Sequence, residues 1–177
     1  MPRPYDLLWV KFMTQKSNLP NRHSIRLYDY DYSSQGAYFV TICTHQRQHL
    51  FGKIVDETMN RNAWGNVARD YWQFIPDHFS HVKLDAFVVM PNHVHGILFI
   101  MQDANPNGNS RKGGLGAIVG SYKSIVSKQI HIQLGVTDLI WQRNYHEHII
   151  RNPEEYYVLS AYIHDNPRRW IQDVHNV

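Results

Sequence analysis

Cysteine is nearly absent from this 177-residue chain: Cys43 stands alone. No internal disulfide can form, no zinc site can rest on thiolates, and the residue reads as a small buried hydrophobe in a strand. Long apolar runs are missing too. Nothing approaches the ~20 residues of a membrane span, and Met1-Pro2-Arg3-Pro4-Tyr5-Asp6 lacks the apolar stretch of a secretory signal. The expectation is a cytoplasmic protein with no membrane partner. Gly113, Gly114, Gly116 and Gly120 do not have the spacing of a nucleotide-binding phosphate loop, and no His-Glu-x-x-His run or nearby carboxylate marks a zinc hydrolase. No internal repeat occurs. With 43% hydrophobic and 19% charged residues, collagen, coiled coil and wholesale disorder are excluded, and one compact domain is the natural reading.

What is present is basic and rich in ring side chains. Lysine plus arginine total 18 against 15 acids, for a net +3 and a pI of about 9.0, which permits a nucleic-acid partner without demanding one. Twelve histidines and 11 tyrosines are residue types that ligate metal, attack phosphate or stack on bases.

Residues 1–35 are polar, basic and irregular, and are expected to form a loosely packed arm ahead of a single domain over 36–177. Ala37 to Thr44, rich in β-branched and aromatic residues, predicts a strand. Ala63, Val67, Tyr71 and Phe74 recur at helical steps over about 62–74, before Pro76. Val82–Met90 and His93–Met101 read as antiparallel strands joined tightly at Pro91-Asn92, both buried on two faces. Residues 102–114 form a polar loop. Leu115, Ile118, Val119, Tyr122, Val126 and Ile130 mark a helix with Lys123 and Lys128 towards solvent, followed by a strand within Leu139–Ile150. A last helix starts at the cap Asn152, has Pro153 in its first turn and stops near Asn166, because Pro167 follows. This order predicts an α+β fold: a ferredoxin-like antiparallel sheet with helices on one face.

Two segments carry chemistry. In Met90-Pro91-Asn92-His93-Val94-His95-Gly96, the period of a strand places His93 and His95 on one face and Val94, Leu98 and Ile100 on the other. Two polar rings in a nearly all-apolar strand are costly unless their nitrogens are satisfied, either by hydrogen bonds as core histidines or by a divalent metal with phosphate ligands. In Tyr156 to Pro167, Tyr162 and Asn166 stand four apart and share a helix face. That face carries either a core aromatic and a helix cap, or a nucleophile and an amide oxygen suited to Mg2+ or Mn2+. A phenol of pKa ~10 attacks poorly at neutral pH unless a metal polarises the phosphate. Tyr122 is a rival nucleophile, ranked lower because Val126, not Asn or Gln, stands four positions on.

Several segments together resemble one family. They are Ser24 to Leu27, Tyr30 to Ser33, Gly36 to Thr44, Met90 to Gly96, Gly116 to Ser124, Trp141 to Arg151 and Tyr162 to Pro167. The chain is similar to the one-tyrosine transposases of the His-hydrophobic-His (HUH) single-strand endonuclease superfamily, above all to the branch associated with repetitive extragenic palindromes (REP). The resemblance implies an HUH endonuclease-type fold, His93 and His95 as ligands of Mg2+ or Mn2+, and Tyr162 as the nucleophile. Asn166 takes the place of a glutamine third ligand in more distant relatives. It also implies cleavage and rejoining of single-stranded DNA at REP-like hairpins through a 5′-phosphotyrosine, a nucleoid-associated location, and a monomer or homodimer. The alternative is a domesticated hairpin-binding protein that no longer cleaves. Candidate DNA contacts are Arg22, Arg26, Arg111, Lys112, Lys123, Lys128, Arg143, Arg168 and Arg169, with His148 as support for a ligand or the phosphate.

Overall fold

A computed structural model describes residues 35–101 and 113–172. The arm up to residue 34, with Arg22 and Arg26, and the loop residues Arg111 and Lys112 lie outside the described residues. The elements in chain order are β1 (Gly36–Cys43), β2 (Gly52–Val55), β3 (Thr58–Arg61), α1 (Ala63–Gln73), α2 (Ile75–His78), β4 (Val82–Val89), β5 (His93–Ile100), α3 (Leu115–Leu134), β6 (His146–Ile150) and α4 (Pro153–Asp165).

Four strands form one sheet in the order β4-β5-β1-β6, every neighbour antiparallel. It follows that β1 and β4 run parallel across β5, and β5 and β6 run parallel across β1, so α1 and α3 are the crossover helices of two split βαβ units. Both cover one face. Trp72 of α1 meets Tyr122 of α3 edge-on at 5.2 Å, and the Tyr122 hydroxyl donates to the Ala68 carbonyl at 2.9 Å. Below them the backbone of Gly96 on β5 admits no side chain, since a Cβ there would stand 2.2 Å from Cζ2 of Trp72. The α+β fold with its antiparallel sheet flanked by helices is thus as expected, and the crossover helices occupy one face. The structure adds α4 on the other.

Local chemistry sets the ends of the elements. Asn62 caps α1 by accepting from the Gly65 N–H at 2.9 Å, and Asn152 caps α4 by accepting from Glu155 at 2.8 Å, each satisfying an orphan donor of the first turn. Gly135 closes α3 in the left-handed conformation, with φ 65°. Cys43 is buried in β1.

Two expectations change, and one element is new. β4 is an edge strand with alternating burial rather than a doubly buried one; a bulge between Leu84 and Phe87 interrupts its ladder. There Asp85 accepts from the Ala86 N–H at 2.8 Å and from the Tyr156 hydroxyl of α4 at 2.7 Å. The strand expected within Leu139–Ile150 shortens to β6. Trp141 makes only an isolated bridge to Thr44, because α3 holds the segment: Lys123 Nζ donates to the carbonyls of Gln142 and Arg143 at 2.6 and 2.9 Å. Finally, the β2–β3 hairpin was not foreseen; it turns through Asp56 and Glu57 at positive φ, 48° and 59°.

Gly96→Ala is expected to destabilise the fold by about 1–3 kcal/mol through overpacking against Trp72. A lowered urea midpoint with an unchanged m-value checks this.

Candidate metal and nucleophile site

Residues opposed across an antiparallel ladder share a face. Thr41 lies opposite His95 and Cys43 opposite His93, while on the far side of β1 His146 lies opposite Thr41 and His148 opposite Phe39. This face looks towards α4, away from the crossover helices. His93 and His95 have no exposed surface, and their ring centroids are 4.3 Å apart. Thr41 Oγ1 is 2.8 Å from His95 Nδ1, and Phe39 stacks on the same ring at 5.2 Å. Asn92 Oδ1 is 2.7 Å from His93 Nδ1.

Burial of Leu159 and Ile163 seats α4 and brings Tyr162, 6% exposed, over β5. Its hydroxyl lies 3.4 Å from His95 Nε2, long for a hydrogen bond. The turn after α4 closes the site: the Arg169 guanidinium lies 6.0 Å from the Tyr162 ring centroid, and Trp170 stacks on His93 at 6.1 Å. Asn166, the C-cap of α4, is fully buried. Neither its Oδ1 nor its Nδ2 has a hydrogen-bond partner among the described residues, an arrangement that calls for an external ligand.

The structure therefore brings His93, His95 and Tyr162 together and places Arg169 beside them. Other candidates stand elsewhere. His148 Nε2 is 3.4 Å from Glu155 Oε2, linking β6 to the first turn of α4. Lys123, expected towards solvent as a DNA contact, is half-buried and clamps the 142–143 backbone; burial lowers its pKa, opposed by the nearby Cys43. Lys128 is exposed, but its helix lies on the opposite layer. Arg143 is exposed, and Arg168 approaches Glu57 at 3.9 Å. Tyr122 is also on the opposite layer, its hydroxyl engaged and its pKa pushed up by burial, so it does not compete with Tyr162. The sequence reading missed Thr41, visible only through register, and gave no role to Asn92 or Trp170.

No family model matches the chain. An "Uncharacterized protein" of Haemophilus influenzae is 39% identical over 176 residues, covering 91% of this chain and 97% of that one. This chain belongs to that protein's family. The family's fold also has a solved counterpart: a REP-associated tyrosine transposase bound to a REP hairpin superposes over 84% of this chain and 74% of the other, with a TM-score of 0.54 and 21% identity. The family member described here thus has a transposase-like fold.

His146 lies on the same sheet face as His93 and His95, and its pKa is held below the usual value near 6.5, first by burial and second by Arg47. Its folded pKa is lower than its unfolded one, so the unfolded chain binds more protons as the pH falls through that window. The contribution of His146 to stability is fully present above about pH 6.5 and is lost as the pH falls below it. His146→Gln is expected to flatten part of that decline, as read from urea midpoints between about pH 7.5 and pH 5.

Proposed function

We propose that this chain is a metal-dependent single-strand DNA endonuclease and strand transferase that acts at hairpin-forming repeats. The observation that carries the reading is the approach of the Tyr162 hydroxyl to His95, 67 residues away in sequence, beside His93.

The residues suit a divalent cation. Two imidazoles whose Nδ1 atoms are engaged by Thr41 and Asn92 are neutral donors, and the buried, unpartnered amide of Asn166 is the proposed third ligand. Among the described residues no group of three His, Cys, Asp or Glu side chains gathers, so the proposed site rests on the two imidazoles and an amide. Mg2+ or Mn2+ held there would supply Lewis-acid charge to a non-bridging phosphate oxygen. Tyr162 would form an O–P bond as the bond to the 3′ oxygen breaks; the phenol gives up its proton, the departing strand end gains one, and the 5′ phosphate remains on the tyrosine. The Arg169 guanidinium favours the anionic phenol. Return of a 3′ hydroxyl reverses the exchange, so strand joining needs no nucleotide.

The REP hairpin in the transposase structure motivates hairpin DNA as the partner. Exposed Arg143 and Arg168, with Arg22, Arg26, Arg111 and Lys112 outside the described residues, are the proposed backbone contacts, and the working state is a monomer or homodimer in the nucleoid. Among the described residues no helix is long and apolar enough to cross a membrane. One observation favours the alternative of binding without cleavage: the near-complete closure of the site, with both histidines at 0% exposure.

Incubation with labelled single-stranded hairpin DNA and Mg2+ or Mn2+ is expected to give a denaturant-resistant protein–DNA adduct. Tyr162→Phe removes the adduct and leaves hairpin affinity within about threefold, since the variant keeps the ring and the surface charge. Loss of even an indirect support of a metal ligand costs ~10–100-fold, so His93→Ala with His95→Ala lowers cleavage by more than that. An adduct that survives Tyr162→Phe refutes the nucleophile, and wild-type binding without an adduct establishes the non-cleaving alternative.

A further inference from the structure

Asn92 sits in the tight connection between β4 and β5, fully buried, and its two amide ends face different partners. Nδ2 lies 3.2 Å from the carbonyl of Arg47, and Oδ1 lies 2.7 Å from His93 Nδ1. A backbone carbonyl accepts and never donates. The NH2 end must therefore face Arg47, and the oxygen must face His93. An amide oxygen also only accepts, so the proton of a neutral His93 is on Nδ1 and the lone pair is on Nε2.

The segment that supplies this carbonyl is itself held in an uncommon conformation. Gln46 and Arg47 adopt φ of 50° and 55° within the short His45–Arg47 turn, a left-handed pair that non-glycine residues sustain only where the surroundings over-determine it. The determinants are visible. The Thr44 N–H donates to the Asn92 carbonyl at 2.9 Å, Arg47 N–H to the Thr44 carbonyl at 3.1 Å, and Phe51 N–H to the Pro91 carbonyl at 3.0 Å. The Thr44 hydroxyl lies within reach of the carbonyls of both Gln48 and Asn92. Turn and connection are thus laced to each other on both sides of the amide.

His95 meets a different kind of group. Its Nδ1 faces the Thr41 hydroxyl, which can donate or accept and so imposes no tautomer. We propose that Asn92, oriented by the Arg47 carbonyl, is a positioning residue that locks His93 in the Nδ1–H tautomer and so presents Nε2 to a divalent cation. The cation half of this statement rests on the proposed function; the tautomer half does not.

The test uses 15N-histidine-labelled protein, free of metal, with the His93 signals assigned by comparison with His93→Gln. Long-range 1H–15N spectra of the imidazoles report which nitrogen carries the proton. Wild-type His93 is expected as the Nδ1–H form; finding the Nε2–H form overturns the proposal whatever the metal does. In Asn92→Ala the His93 signals become a mixture of both forms and affinity for Mn2+ alone, measured by calorimetry, falls ~10–100-fold. Unmixed Nδ1–H in that variant overturns it, as does an unchanged affinity where the wild-type protein binds Mn2+. Asn92→Asp keeps an acceptor on Nδ1 and is expected to keep the wild-type tautomer; with the wild-type spectrum it decides the matter if the alanine variant does not fold. A wild-type protein that shows the Nδ1–H form, and loses it in Asn92→Ala, yet binds no Mn2+, upholds the orientation while refuting the metal reading.

Discussion

Two imidazoles with no solvent contact, two residues apart on one strand, impose the constraint around which this domain is arranged. Each ring carries nitrogens that are expensive to bury without partners. Neighbours come from three directions: Thr41 from the adjacent strand and Asn92 from the preceding connection engage the two Nδ1 atoms, and Tyr162 from the last helix approaches His95 Nε2 at a longer 3.4 Å. The alternation of β5 makes this compatible with a core. Its even positions, from Val94 to Ile100, face the crossover helices and carry the packing, including the close approach at Gly96. Its odd positions begin with His93 and His95 and continue as apolar packing at Ile97 and Phe99.

The sheet order turns this alternation into a site. Split βαβ units place both crossovers on one face of β4-β5-β1-β6, which leaves the histidine face without a helical cover until α4 supplies one. The tyrosine helix is therefore a layer of its own, joined to the sheet through buried Leu159 and Ile163 and through the surface hydrogen bond from Tyr156 to Asp85. The similarity to the solved transposase is one of fold; the proposed chemistry stands on the side chains.

Much of this was legible in the residues themselves. The period-two pattern fixed the shared face of His93 and His95, and Asn152 and Pro153 marked the start of the last helix through a local mechanism that tertiary context rarely overrides. The β2–β3 hairpin was not legible, because Gly52 to Arg61 has neither sustained alternation nor a glycine in its turn. The 139–145 segment looks like a strand by composition; its pairing is decided instead by Lys123, whose ammonium anchors two carbonyls from a helix some twenty residues earlier. The supports of the histidines escaped for a related reason. Thr41 becomes a partner of His95 only once register is known, and Arg47 contributes a backbone oxygen that no side-chain pattern announces.

The anchoring of α4 has a mechanical consequence. Its hydrogen bond to the β4 bulge is near the start of the helix, whereas Tyr162 is six residues further on, about 9 Å along the axis. Helix and pin form a lever: a tilt of ~10° about Asp85 would carry the phenol oxygen ~1.5 Å, and a misplacement of ~1 Å can cost ~100-fold in rate. The apolar contacts of Leu159 and Ile163 act as the stops that limit this swing. Packing beneath the helix thus sets the aim of the Tyr162 hydroxyl, and under the proposed function a trimmed methyl group there would register as lost reactivity before it registered as lost fold.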